Sequence, residues 1–292
     1  RLWTKQFGGS AGLCNAGGAA SDSSGNLYVS GYADASLDGK PALGGYDAFV
    51  MKFDSAGNRL WTVINGTSSD DYGNAISLDT AGNVFVAGST YGSPVSPNPD
   101  PEGVTSDLFV LKIDGSTGAA GWTVQLGTAD SDDALAASVD GTGNVYVAGR
   151  TFAGIDGNTA LGNYDFFVVK YDGAGAKQWT QQAGSVANDV AWAVAADPSG
   201  NVFVAGQTGG TLDANTAGAN DIFLMKFDAA GTGIVWTRQG GTAADEKAAG
   251  LVVDAAGGVF VVGTTSGGLD GNANAGEADG FLQAYDADGA LQ

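Results

Sequence analysis

Histidine is absent from this chain. That removes Ser-His-Asp and Cys-His nucleophile machinery, His-ligated zinc and the usual general base of neutral pH. Cysteine occurs once, as Cys14, so no internal disulfide can form. A reactive thiol needs a positive neighbourhood, which the nearest cations in sequence, Arg1 and Lys5, do not suggest. Cys14 therefore reads as a small buried residue. Positive charge is scarce, with 12 Lys+Arg against 32 Asp+Glu and a formal charge of -20. A phosphate-binding face needs clustered Lys and Arg, so nucleic acid and anionic membrane are poor partners. No apolar run approaches the roughly 18 residues of a membrane-spanning helix. The chain opens at Arg1 without a basic-then-apolar leader, which reads as a processed or excised segment.

What the chain has in quantity is glycine, 49 residues of it, placed periodically. The strings GNLYVSG (25–31), GNVFVAG (82–88), GNVYVAG (143–149), GNVFVAG (200–206) and GGVFVVG (257–263) are one motif repeated. A second runs beside it: DAFVMKFD from Asp47, DLFVLKID from Asp107, DFFVVKYD from Asp165, DIFLMKFD from Asp221 and DGFLQAYD from Asp279. A third is the Trp-Thr pair at Trp3, Trp61, Trp122, Trp179 and Trp236. Each unit holds four short runs of period-two alternation, rich in β-branched and aromatic residues, and nothing of helical length. Asp at the start and Gly near the end of two connections per unit mark tight hairpins.

Four antiparallel strands repeated in this way describe an all-β, five-bladed β-propeller. The blades cover about 13–67, 70–128, 131–185, 188–242 and 245–292, all in one domain. Arg1-Leu2-Trp3-Thr4 matches Arg59-Leu60-Trp61-Thr62, so residues 1–9 are expected to complete the last blade as its fourth strand. The expectation is a monomer; donation of that strand to a neighbouring molecule is the alternative.

These repeats resemble the SBBP family of bacterial β-propeller repeats, whose units read roughly G-G-x-x-D-D, A-x-D-x-x-G-N-x-Y-V-x-G and D-A-F-V-x-K. The resemblance implies the propeller fold and a secreted or cell-surface protein of bacteria, alternatively a periplasmic one. It assigns no activity. The last repeat departs from the pattern at Gly258 and Gln283-Ala284, and the first lacks the acidic pair.

The uniform Asp-x-x-Gly turns fall at one end of the strands and read as structure; the variable connections fall at the other, where binding usually lives. At that end the repeats align Asp71, Asp132, Asp189 and Glu246, with Cys14 in the first. One residue earlier stand Asp70 and, in the last repeat, Asp245. These acids read either as a cation or polar-ligand face or as braces for their own loops. A second set offers oxygen ligands for Ca2+: Asp38, Asp156, Asn158, Asp213, Asn215, Asp270 and Asn272, with Asp47, Asp165, Asp221 and Asp279 a few residues further on. No cofactor is required, and the full EF-hand pattern is missing. Pro94, Pro97, Pro99 and Pro101 stiffen the inserted loop of the second repeat into a partner-facing protrusion. The Trp residues and the Phe-Val-x-Lys-aromatic stripes read as packing.

The expected function is a non-catalytic binding or scaffold module presenting its loops to a protein or glycan. One alternative is a multivalent lectin. The other is a glycoside hydrolase, which needs two carboxyl groups in distinct environments.

Overall fold

The computed structural model describes residues 3–9, 12–95, 103–213 and 218–292. Their regular structure is β-strand, apart from two single 3₁₀ turns. The first sheet comprises β1 (Cys14–Ser21), β2 (Leu27–Ala33), β3 (Asp47–Phe53) and β4 (Arg59–Asn65), hydrogen-bonded in that order. The second comprises β5 (Asp71–Leu78), β6 (Asn83–Thr90), β7 (Asp107–Asp114) and β8 (Ala120–Leu126). The third comprises β9 (Asp132–Val139), β10 (Val145–Thr151), β11 (Asp165–Tyr171) and β12 (Lys177–Ala183). The fourth comprises β13 (Asp189–Ala196), β14 (Val202–Thr208), β15 (Asp221–Phe227) and β16 (Ile234–Gly240). The fifth has three strands among the described residues: β17 (Glu246–Val253), β18 (Val259–Thr265) and β19 (Asp279–Tyr285).

The chain divides into two compact units, Arg1–Gly143 with Gly173–Gly175, and Asn144–Asp172 with Ala176–Gln292. In the first, Tyr28, Ala48 and Val50 of one sheet pack on Ile76, Val84, Val86 and Phe109 of the next. In the second, Phe203, Ala205, Ile222 and Leu224 pack on Ala248, Val259 and Val261. Each such large side chain contributes about 1.5–3 kcal/mol by leaving water. β6 and β7 are buried along most of their length, which explains why they read as nearly continuous apolar runs.

The Asp-Gly hairpins close as their sequence requires. Asp79 Oδ1 accepts the amides of Ala81 (2.9 Å) and Asn83 (2.8 Å), and Oδ2 takes Asn83 Nδ2 (2.6 Å). Gly82 adopts φ +85°, where a β-carbon would strain. In the matching turn, the Asn58 side chain and amide hold the Asp54 carboxyl below its ordinary pKa.

Trp and Lys tie consecutive sheets together. Lys52 lies opposite Tyr28 on one side and Trp61 on the other. Lys52 Nζ (2.8 Å) and Trp61 Nε1 (3.3 Å) both donate to Gly115 O, in the β7–β8 turn of the next sheet. Lys112 and Trp122 do the same to Gly173 O, and Lys226 and Trp236 to Ala287 O. The ammonium groups lie over Tyr28, Phe85 and Phe203, at 5.0, 5.4 and 5.1 Å from the ring centroids. The last repeat has Ala284 where the others have this lysine.

The fourth strand expected from residues 1–9 is not among the described strands, because residues 3–9 form no ladder. Their side chains instead cover the first sheet. Phe7 meets Phe49 and Phe53 at centroid distances of 5.9 and 6.1 Å, and Trp3 Nε1 donates to Ser55 O at 3.0 Å. Trp3 thus does to the first sheet what Trp61 does to the second.

Candidate functional site

In each repeat the variable loops lie where the first strand begins, the second ends and the third begins, as at the starts of β1 and β3 and the end of β2. Four of the aligned acids there are buried: Asp71 at 2% exposure, Asp132 and Asp189 at 0% and Glu246 at 1%. Each is held by the Thr or Ser four residues before it. Asp71 Oδ2 accepts Thr67 N at 2.6 Å and Thr67 Oγ1 at 3.0 Å, while Oδ1 accepts Thr90 Oγ1 at 2.5 Å. Asp132 repeats this with Thr128, Asp189 with Ser185 and Glu246 with Thr242. Of the two readings of these acids, a ligand face or braces for their own loops, the burial and bonding of these four fit the brace. Loop amides and hydroxyls enclose them, and they brace the turns.

Asp70 and Asp245 remain accessible, half-buried and exposed respectively. Asp245 Oδ1 accepts Asn220 Nδ2 at 2.7 Å. Pro94 is half-buried in a bend, whereas Pro97, Pro99, Pro101 and Asn215 lie outside the described residues.

The set read as Ca2+ ligands divides into two groups with different partners. Asp38, Asp156 and Asp270 occupy the left-handed region (φ 57°, 53° and 53°). Asp38 pairs with Arg59 and accepts Thr62 Oγ1 at 2.7 Å, Asp156 pairs with Lys177, and Asp270 accepts Gln283 Nε2 at 2.8 Å. Asn158 and Asn272 turn their amides back onto Ile155 O and Leu269 O. Asp213 donates its backbone N–H to Gln239 Oε1 at 3.1 Å. Asp279 Oδ2 accepts Ala275 N at 2.6 Å.

Asp47, Asp165 and Asp221 instead face the braced acids of the following sheet. A β-carbon on Gly66 would collide with Asp47 Oδ1 and lie 2.9 Å from Asp71 Oδ2. Gly184 stands in the same relation to Asp165 and Asp189, and Gly241 to Asp221 and Glu246. Each pair of buried carboxyls thus owes its approach to a glycine. Asp47 Oδ2 accepts Leu43 N at 2.7 Å, and its buried Oδ1 has no donor among the described residues; Asp165 is arranged alike. Burial raises the pKa of Asp71 and of Asp189, and the facing carboxylate adds to the rise, against the hydroxyl and amide bonds that each accepts.

A cluster that the sequence reading passed over lies beside Asp70. Tyr32, Tyr46, Tyr72 and Tyr91 pack edge to face or tilted, with neighbouring centroids 4.8–6.4 Å apart. Asp70 organises three of them. Its Oδ1 accepts Tyr46 N (2.9 Å), its Oδ2 accepts the Tyr72 hydroxyl (3.3 Å), and its carbonyl accepts Tyr91 N (2.8 Å). Asp71 N completes the clasp by donating to Tyr46 O at 2.6 Å. The signal was available in the repeat alignment, because these columns change residue type from repeat to repeat while the braces do not.

Three segments of the chain, residues 2–38, 60–94 and 178–212, match the SBBP beta-propeller repeat. Regulatory protein FlaEY of Caulobacter vibrioides is 29% identical over 184 residues, which cover 56% of this chain and 19% of that protein. The chain thus spans about a fifth of that relative's length. Among solved structures, a protein of unknown function from Bacteroides caccae matches with a TM-score of 0.54 at 14% identity, over 95% of this chain and 80% of that one. A Hadza microbial sialidase matches with a TM-score of 0.52 at 14% identity, over 94% and 56%. At such identities the likeness is one of fold.

Proposed function

We propose that this protein is a non-catalytic binding module, secreted or on a bacterial surface, that presents the loop end of its sheets to a protein or glycan. The observation that carries this reading is the near-equivalence of the repeated carboxyls. Asp71, Asp132, Asp189 and Glu246 are all buried and all braced by the hydroxyl residue four positions earlier. Glycoside hydrolysis requires one carboxyl to act as acid and another as base or nucleophile, in environments that drive their pKa values apart. Repetition works against such a division of roles. A screen of neutral and anionic glycosides tests the reading: no turnover is expected, and turnover abolished by Asp71→Asn or Asp189→Asn overturns it.

The finer architecture we propose is five blades, with residues 1–9 completing the last. Two observations support it. Trp3 occupies, on the first sheet, the place that a preceding repeat's Trp takes on the second, third and fifth. Phe260, Val262 and Leu282 of the fifth sheet are 37%, 45% and 68% exposed, whereas their counterparts Phe203, Ala205 and Leu224 are buried under the next repeat. A face of that composition is built to be covered.

A further inference from the structure

We infer that the tyrosine cluster of the first two sheets is a binding platform for a neutral carbohydrate, with Asp70 as its positioning residue. The inference rests on the binding-module reading above and names its ligand class and place.

The cluster is not demanded by the fold. Tyr32, Tyr46, Tyr72 and Tyr91 correspond to Ser89, Ser106, Asp133 and Phe152 one repeat later, and to Gln207, Asn220, Lys247 and Ser266 in the fourth and fifth. Only Tyr46 has a tyrosine counterpart, Tyr164. Where Ser106 and Asp133 stand instead, a hydroxyl-carboxylate bond of 2.8 Å suffices to join the loops. Four of the chain's nine tyrosines are thus gathered at one place without a structural need shared by the other repeats.

The geometry selects the ligand. All four rings are half-buried, so each keeps part of its surface open to solvent. Centroid spacings of 4.8–6.4 Å, with three of the four pairs edge to face, mean that the rings pack against one another. An aromatic cage for a quaternary ammonium group would need them held apart around the ligand. The part of a packed, half-buried tyrosine left open suits the flat apolar C–H face of a pyranose ring, which buries area against it without an ion pair. Polar groups to orient such a ring stand at the rim. Asn15 Nδ2 donates to the Tyr32 hydroxyl at 2.9 Å, and the Tyr72 hydroxyl donates to Asp70. Burial, reinforced by Asp70, keeps Tyr72 in its phenol form well above neutral pH. The charged group bonded to the cluster is the Asp70 carboxylate, which disfavours an anionic sugar there.

Asp70 acts through the rings. It fixes Tyr46 by its amide, Tyr72 by its hydroxyl and Tyr91 by its backbone, so the platform's shape depends on one carboxylate that stays accessible at its edge.

The test is a neutral-glycan array probed with the whole chain, followed by calorimetric titration of the tightest binder. Tyr46→Ala and Tyr72→Ala should each weaken that binding about tenfold or more. Asp70→Asn should weaken it less, while changing the NMR shifts of the tyrosine ring protons. Tyr164→Ala, at the matching position of another repeat, should leave it unchanged. Melting curves of every variant report folding separately. Glycan binding that survives both tyrosine variants overturns the platform and leaves the binding-module reading intact. A flat array at high protein concentration, or capture of a protein partner through the same tyrosines, also overturns it. Catalytic turnover, in contrast, would remove the module reading itself.

Discussion

Asp47 and Asp71 begin β3 of one sheet and β5 of the next, and their carboxyls face each other across the space that a side chain on Gly66 would fill. Two buried carboxyls this close to each other oppose full ionisation of both. The folded-state pKa of Asp71 is accordingly raised, first by burial and further by Asp47, and Asp189 is raised in the same way. A raised carboxyl pKa makes a stability contribution that is complete below the unfolded value of about 3.9 and is lost as pH climbs through the folded one. The hairpin acids act in the opposite sense. Asp54, Asp114 and Asp228 are lowered by side-chain bonds from Asn58, Ser116 and Thr232, so their contribution is lost as pH falls below the unfolded value. Urea melts across pH should therefore show greatest stability in mildly acidic buffer and a decline toward neutrality. Asp71→Asn should flatten part of that decline, and an unaltered slope would refute the assignment.

The glycines between paired carboxyls should be among the least replaceable residues. Gly184→Ala drives a β-carbon into Asp165 Oδ1 and to 3.1 Å from Asp189 Oδ2. The expected cost is about 2–3 kcal/mol, and a melting temperature lower by roughly 5–10 °C. Gly141→Ala makes the useful contrast, since nothing lies within 4 Å of its added carbon. It should be neutral or stabilise by up to about 1 kcal/mol. Equal melting temperatures for the two variants would contradict the crowding.

Lys112 and Trp122 share one acceptor, Gly173 O, at 3.0 and 3.1 Å. Lys112→Met and Trp122→Phe should each cost about 1–2 kcal/mol by denaturant unfolding. The double variant should cost more than the two added together, because only then does the carbonyl lose both donors. Strict additivity would mean that the shared acceptor does not matter.

The strands and hairpins could be read from the chain because their causes are local. Period-two alternation, Asp at the turn entrance and Gly at φ +85° each act over a few residues, as Asp79 to Asn83 shows. The carboxyl pairs were not legible. Asp47 and Asp71 were recognised in two separate alignments, and only the docking of one sheet on the next brings the columns together. The lysine stripe was read as packing, and its donation to a turn carbonyl of the neighbouring sheet is equally a tertiary fact. The tyrosine cluster is hidden for a different reason. A repeat alignment displays what recurs, and Tyr32, Tyr72 and Tyr91 stand where no other repeat has tyrosine.

The fifth sheet gives the sharpest test of closure. Leu282 matches Leu224, which is 1% exposed beneath the following repeat, yet Leu282 itself is 68% exposed. If residues 1–9 complete the last blade and the ring closes over that face, Leu282→Ala should cost about 2–3 kcal/mol, comparable to Leu224→Ala. An open face would lose no more than about 0.5 kcal/mol. Dilution separates the two ways of covering it, since closure within one chain leaves the melting temperature independent of concentration. A strand donated to a neighbour makes that temperature fall as the protein is diluted. A Leu282→Ala variant as stable as the parent at every concentration would rule out both.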